Sequence, residues 1–204
     1  NYIGPQHNKA VVETVWELQQ AMLRKKIIKI NYKRNDGVEV DRLVIPVGIM
    51  FSDYYFYMIA YIKRKEDASK ETAESFPTVY RVDRIQSFQE TSQVFTDHEV
   101  SREKQCTEGE FRNRVQFMFG GYLYRVTFDC KNSALEANLD RFPSHEIVKP
   151  GPDFTTIRVM VYGKTGIEMW LRSQGEAVCN IDYKRALGKL SWKKDLKGLT
   201  FSSL

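Results

Sequence analysis

The chain has 204 residues, enough for one large domain or two small ones, and its 42% hydrophobic and 13% aromatic content excludes a disordered chain. A net charge of +5 is only mildly basic, so an anion site must come from cations gathered in one place and not from bulk charge. Three cysteines and three histidines stand far apart, which speaks against a disulfide framework and a metal centre; no uncharged run is long enough to span a bilayer, and the expected location is the cytoplasm.

Residues 1–9 read as a polar tail. Through "AVVETVWELQQAMLRKK" the apolar residues Val11, Val15, Leu18, Met22 and Leu23 recur at helical spacing. The period then drops to two: Ile28, Ile30 and Tyr32 alternate with Lys29, Asn31 and Lys33, a half-buried strand. Asp36-Gly37 is a hairpin turn, because glycine accepts positive φ. "VEVDRLVIP" follows as a second strand ended by Pro46, and "YYFYMIAYI" as a third. A charged loop over 63–75 leads to "TVYRVDRIQSFQ", a fourth strand, with a short fifth around "SFQET". A helix followed by several short strands suggests a small SH3-like or Sm-like β-barrel over 27–95, after a tail and helix over 1–26.

Residues 96–121 are polar, hold Gly120-Gly121 and read as a connector with some helix. Beyond it strand and helix patterns alternate: "YLYRVTFDC" is a strand, and "SALEANLDRF" a helix opened by an Asn132-Ser133 cap signal. "HEIVKP" and "FTTIRVMVY" are strands about a Gly151-Pro152-Asp153 turn. "TGIEMWLRSQG" is a helix closed by Gly175, "EAVCNI" a strand, and "DYKRALGKLSWKKDL" a last helix. The order β-α-β-β-α-β over 122–204 is that of a ferredoxin-like unit, and the fold class is α+β.

The run "INYKRNDGVEVDRLVIPVGIMFSDYYFYMIAYIKR…YRVDRI" resembles the WYL domain. Phe56, Tyr57 and Met58 stand where that family has its Trp-Tyr-Leu triplet, so the aromatic character persists without the indole. Ile30 and Tyr32 match the opening strand, Arg42 and Pro46 an Arg-x-x-x-Pro strand, and "YRVDRI" the closing Arg-x-Asp-Arg-Ile strand. Trp170-Leu171 and Gly175 match the C-terminal extension that commonly follows. The resemblance implies an Sm-like barrel whose basic groove binds a nucleic acid or nucleotide-like effector. It also implies a DeoR-type bacterial transcription regulator whose winged helix-turn-helix, which meets promoter DNA, lies upstream of Asn1; no such helix pair is visible here. A homodimer is the expected assembly, with no membrane partner and no cofactor.

Arg42, Arg81 and Arg84 supply guanidinium groups suited to phosphate, and Tyr32, Tyr57 and Tyr61 supply rings for stacking a base. Tyr55, Tyr57, Ile59 and Tyr61 share one strand face by parity, while Phe56 and Met58 face the core. Tyr57 and Tyr61 also suit a core, and Arg42 a carboxylate partner. Arg81 and Arg84 point to opposite faces of a regular strand, so serving one groove requires a bulge or the strand's end between them. Asp83 suits the role of orienting an arginine better than that of a catalytic acid. No nucleophile elbow, metal-ligand spacing or phosphate loop is present; "GKTG" at 163–166 lacks the first glycine of a P-loop, so no catalytic residue is assigned. The other reading is a non-enzymatic interaction module that dimerises, with Met169, Trp170 and Leu171 as candidate contacts.

Overall fold

The computed structural model describes residues 11–63, 76–96 and 108–186; the charged 64–75 stretch lies outside them. The apolar stripe read from the sequence becomes α1 (Val11–Leu23), which buries Leu18 and Ala21. Five strands follow: β1 (Lys26–Lys33), β2 (Glu39–Ser52), β3 (Tyr55–Ile62), β4 (Thr78–Arg81) and β5 (Ile85–Val94). They form one antiparallel sheet in the order β4-β3-β2-β1-β5. Its inner face contributes Ile28, Ile30, Val44, Met58, Ala60 and Tyr80 to a core closed by Leu18 and Ala21. The hydrogen-bonded ladder is open, since β4 and β5 are its two edges.

Two strand boundaries differ from the sequence reading. Pro46 does not end β2, which continues to Ser52; the register with β3 shifts between Pro46 and Gly48. A bulge tolerates a residue that cannot donate a ladder hydrogen bond, so the proline marks a bend and not a stop. The run "TVYRVDRIQSFQ" is not one strand either. A 3₁₀ turn over Val82–Arg84 interrupts it and carries the chain from one edge strand to the other.

The segment between the sheets is more than a surface connector. It contains α2 (Glu108–Arg114), whose Phe111 is buried with Val115 against Met50 and Ile59 of the first sheet. Tyr162 of the second sheet stacks on Phe111 at 5.6 Å between ring centroids. The second sheet comprises β6 (Leu123–Lys131), β7 (Glu146–Lys149), β8 (Phe154–Tyr162) and β9 (Val178–Arg185), all antiparallel in the order β7-β8-β6-β9. Helices α3 (Leu135–Arg141) and α4 (Lys164–Ser173) complete the β-α-β-β-α-β order. Val126, Phe128, Ile157, Val159, Ile167 and Leu171 form its core. Two sheets with few helices make the chain α+β.

Three readings change here. Asn132 does not cap α3; its amide donates to the Gly151 and Pro152 carbonyls and its oxygen accepts from Thr155, so it pins the β7–β8 turn. Residues Asp182–Arg185 are strand and not helix: β9 continues through them, with Tyr183 opposite Val126, and the rest of that sequence from 187 lies outside the described residues. The "GKTG" glycines serve packing. A Cβ on Gly163 would stand 2.3 Å from the Phe119 carbonyl oxygen, and one on Gly166 2.1 Å from that of Gln116. Only glycine lets α4 approach the 116–121 segment so closely.

Candidate functional site

The outer face of β3 is set by alternation. Tyr57 pairs across the ladder with Arg81, and Ile59 with Val79. The same face continues to Tyr61, yet its two ends have different surroundings. Ile59 packs beneath Phe111, and Tyr61 is 2% exposed among Ile27 and Ile45. Tyr61, expected as a ring for a ligand, is therefore a core residue: the neighbouring segments cover it. Tyr55 and Tyr57 remain half-buried at the other end.

Arg81 is held from two sides. Its Nε and Nη2 donate to Asp83 at 2.8 and 2.5 Å, and its guanidinium lies 3.7 Å from the Tyr55 ring centroid. The Asp83 carboxylate raises Arg81's pKa above its ordinary value, chiefly through these hydrogen bonds. The carboxylate thus fixes the plane of the guanidinium, while the N–H groups it does not use stay directed elsewhere. Arg84 ends the 3₁₀ turn that follows β4, so strict alternation no longer separates it from Arg81. Both arginines act electrostatically on Tyr57. Its pKa is raised above the usual tyrosine value because burial outweighs their attraction, with Asp53 and Tyr55 adding to the rise.

The remaining candidates stand apart. Tyr32 packs edge-on against Tyr80 at 5.0 Å and its hydroxyl accepts from the Arg81 backbone N–H at 3.3 Å, so it supports the site from behind. Arg42 pairs with Ile30 in the ladder and therefore shares the face of the main core, opposite to that of Tyr57 and Arg81. It is exposed there, and the neighbouring Asp41 is engaged by Lys29 and Asn31 instead. The sequence put Tyr55 on one face with Tyr57 and Tyr61, a platform suited to stacking, though only Tyr57 and Tyr61 of that face were taken as ligand contacts. The turn beside Tyr55 was passed over. Asp53 and Tyr54 both have positive φ, at 46° and 69°, a two-residue hairpin of the kind that usually demands Asn-Gly.

Chemically, the Arg81 guanidinium beside the half-buried rings of Tyr55 and Tyr57 can hold an anion attached to a flat ring. Among the described residues, no group of acidic, cysteine and histidine side chains suits a metal ion. No described helix is long and apolar enough to cross a membrane.

The model of the WYL domain family matches residues 13–90, the part that holds α1 and the first sheet. No curated protein matches the chain. Among solved structures, the chain is similar to proteasome accessory factor B/C (PafBC) of Arthrobacter aurescens, at 17% identity and a TM-score of 0.43 over 86% of this chain and 25% of that one. It is also similar to a CRISPR Cas-related protein, at 12% identity and a TM-score of 0.48 over 82% of this chain and 46% of that one. The chain thus spans a quarter of the first protein and under half of the second.

Proposed function

We propose that this chain, which carries a WYL domain over residues 13–90, is the effector-sensing region of a bacterial transcription regulator and is not an enzyme. The ligand is a nucleic acid or nucleotide-like anion, held by Arg81 and Arg84 with Tyr57 and Tyr55 as stacking surfaces. Tyr32 braces Arg81 from behind. The observation that carries this reading is Arg81, held by Asp83, lying over the Tyr55 ring and paired in the ladder with Tyr57, at the point where β4 gives way to the 3₁₀ turn that ends in Arg84. Arg42 lies on the other face, and Tyr61 takes no part.

The finer fold assignment belongs to the same proposal. Strand order β4-β3-β2-β1-β5 with a three-residue link between the edge strands supports the Sm-like reading over 27–95. The order β7-β8-β6-β9 supports a ferredoxin-like unit from 122 onward. A DeoR-type regulator would place its winged helix-turn-helix upstream, meet promoter DNA through it, and work in the cytoplasm as a homodimer.

Fluorescence anisotropy with labelled single-stranded DNA and RNA oligonucleotides, competed by free nucleotides, tests the site. Arg84→Ala should weaken binding about tenfold and flatten its salt dependence, since a charge-assisted hydrogen bond contributes roughly 1.5–3 kcal/mol. Tyr57→Ala should weaken binding without changing the salt slope. If neither oligonucleotides nor nucleotides bind the parent protein, the ligand assignment is lost.

A further inference from the structure

The hairpin that joins β2 to β3 is made of residues that fit it poorly. Asp53 and Tyr54 hold φ of 46° and 69°, a region natural to glycine in which a bulky aromatic residue is an outlier. The turn leads straight into Tyr55 and Tyr57, the half-buried rings beside Arg81. Backbone strain gathers where side chains serve a ligand, which directs attention to what these two residues present.

The direction of the Asp53 carboxylate follows from the ladder. Ser52 stands opposite Tyr55, and Met50 opposite Tyr57, so Ser52 shares the face of the two rings. Its hydroxyl donates to Asp53 Oδ2 at 3.0 Å, which draws the carboxylate toward that face. The electrostatics agree: burial chiefly raises the pKa of Tyr57, and the Asp53 carboxylate adds to the rise, so its field reaches the phenol. An ionised carboxylate only accepts hydrogen bonds, in roughly four positions, and Ser52 fills one of them.

The face therefore has a polarity along β3. The Arg81 guanidinium lies beside Tyr57 and over Tyr55, and the acceptor-only carboxylate of Asp53 closes the tip, on the order of 10 Å along the chain from Tyr57. A ligand that matches this order carries an anion at one end, a flat ring in the middle and N–H donors at its far edge. Guanine presents two adjacent donors, its ring N–H and its exocyclic amino group, which meet the two oxygens of one carboxylate as a planar fork. Adenine and cytosine turn a bare ring nitrogen to the same place and would set a lone pair against the negative charge. Uracil has a single ring N–H between two carbonyl acceptors.

We propose that Asp53 selects guanine, its carboxylate accepting from the ring N–H and the exocyclic amino group of a base stacked on Tyr57 whose phosphate reaches Arg81. This selection rests on Arg81, Tyr55 and Tyr57 being the anion site, and narrows its ligand to guanine nucleotides. Isothermal titration calorimetry of the whole chain with guanosine, inosine and adenosine monophosphates tests it donor by donor, since inosine lacks only the amino group and adenosine also lacks the ring N–H. Affinity should fall about tenfold from guanosine to inosine monophosphate, and further to adenosine monophosphate, the factor expected for losing a hydrogen bond to a charged group. Asp53→Asn keeps the size of the side chain and its tolerance of positive φ, so the circular-dichroism melt should be no lower than the parent's. In that variant the preference for guanosine over adenosine monophosphate should vanish or reverse, because a carboxamide matches the donor–acceptor edge of adenine. Equal affinity of the parent for all three nucleotides overturns the guanine assignment and leaves the anion site standing. A guanosine preference that survives Asp53→Asn does the same. If none of the three binds, the anion site falls and the selection falls with it.

Discussion

The pair Arg81–Asp83 offers a clean perturbation, because one residue is assigned to the ligand and the other to holding it. The two side chains are 21% and 10% exposed and joined by two hydrogen bonds of 2.8 and 2.5 Å. Asp83→Leu removes the carboxylate and leaves a partly buried guanidinium uncompensated. An exposed pair would contribute under about 1 kcal/mol, while breaking a fully buried one costs roughly 3–5 kcal/mol. The intermediate burial places the loss at about 2 kcal/mol, or a fall in Tm of about 4–8 °C for a chain of this size. Arg81→Met/Asp83→Leu removes both charges together and should recover most of that stability, less the contribution of the contact between Arg81 and Tyr55. Urea unfolding followed by circular dichroism on the four proteins of this double-mutant cycle gives the coupling directly. Oligonucleotide binding should not recover in the double variant, since the guanidinium is gone. Purely additive losses of stability would show that Asp83 does not hold Arg81. Parental binding by the double variant would remove Arg81 from the ligand site.

Replacing Asp53-Tyr54 by Asn-Gly should raise stability by about 1 kcal/mol, read by urea titration, because both positions need positive φ and the present residues adopt it at some cost. Unchanged or lower stability would mean that the side chains make up for the backbone. Gly166→Ala should destabilise the protein by roughly 1–3 kcal/mol or more, since its Cβ would meet the Gln116 carbonyl oxygen at 2.1 Å; an unaltered melt would refute the close packing of α4 on that segment. Asp129 accepts hydrogen bonds from Thr156 and Asn180, which hold its pKa below the ordinary value. Its stabilising effect is therefore present above about pH 3.9 and fades as pH falls through the lower folded value. Asp129→Asn should lower the urea midpoint at neutral pH, and the gap from the parent should narrow in acid. A gap of constant size down to the acid limit would exclude the linkage.

Much of the fold was legible because its causes are local. The helical recurrence of Val11, Val15, Leu18 and Met22, the alternation through Ile28 and Ile30, and the Asp36-Gly37 turn each dictate an element without reference to anything distant. Three of the misreadings have a common source: each concerns a residue whose partner is remote in sequence. Pro46 stops a strand in isolation, yet the bulge against Ala60 accommodates it. Asn132 is a good cap residue by type, but its side-chain amide is taken up by the carbonyls of Gly151 and Pro152 and its side-chain oxygen by Thr155. Asp182–Arg185 has helical composition and becomes strand because β6 offers a ladder for it. Local preference gave way to tertiary pairing in all three.

The site was legible in composition but not in arrangement, and the difference lies in what alternation can and cannot settle. Parity placed Tyr55, Tyr57, Ile59 and Tyr61 on one face correctly, but a face is not a surface. Which part of it stays open depends on α2 and on Phe95, which cover Ile59 and Tyr61, and no periodicity within β3 encodes those coverings. The same rule set Arg81 and Arg84 on opposite faces, and the structure evades it by ending the strand at Arg81 and turning through a 3₁₀ segment before Arg84. Val82 and Ile85 explain why the chain turns there: both are buried in the main core and cannot be so in an unbroken strand, where residues three apart face opposite ways. The interruption between the two arginines is thus driven by the burial of two apolar side chains between and beside them. Replacing Val82 with a polar residue should therefore weaken the proposed oligonucleotide binding through the turn, without touching either guanidinium, and an unchanged anisotropy titration would refute that link.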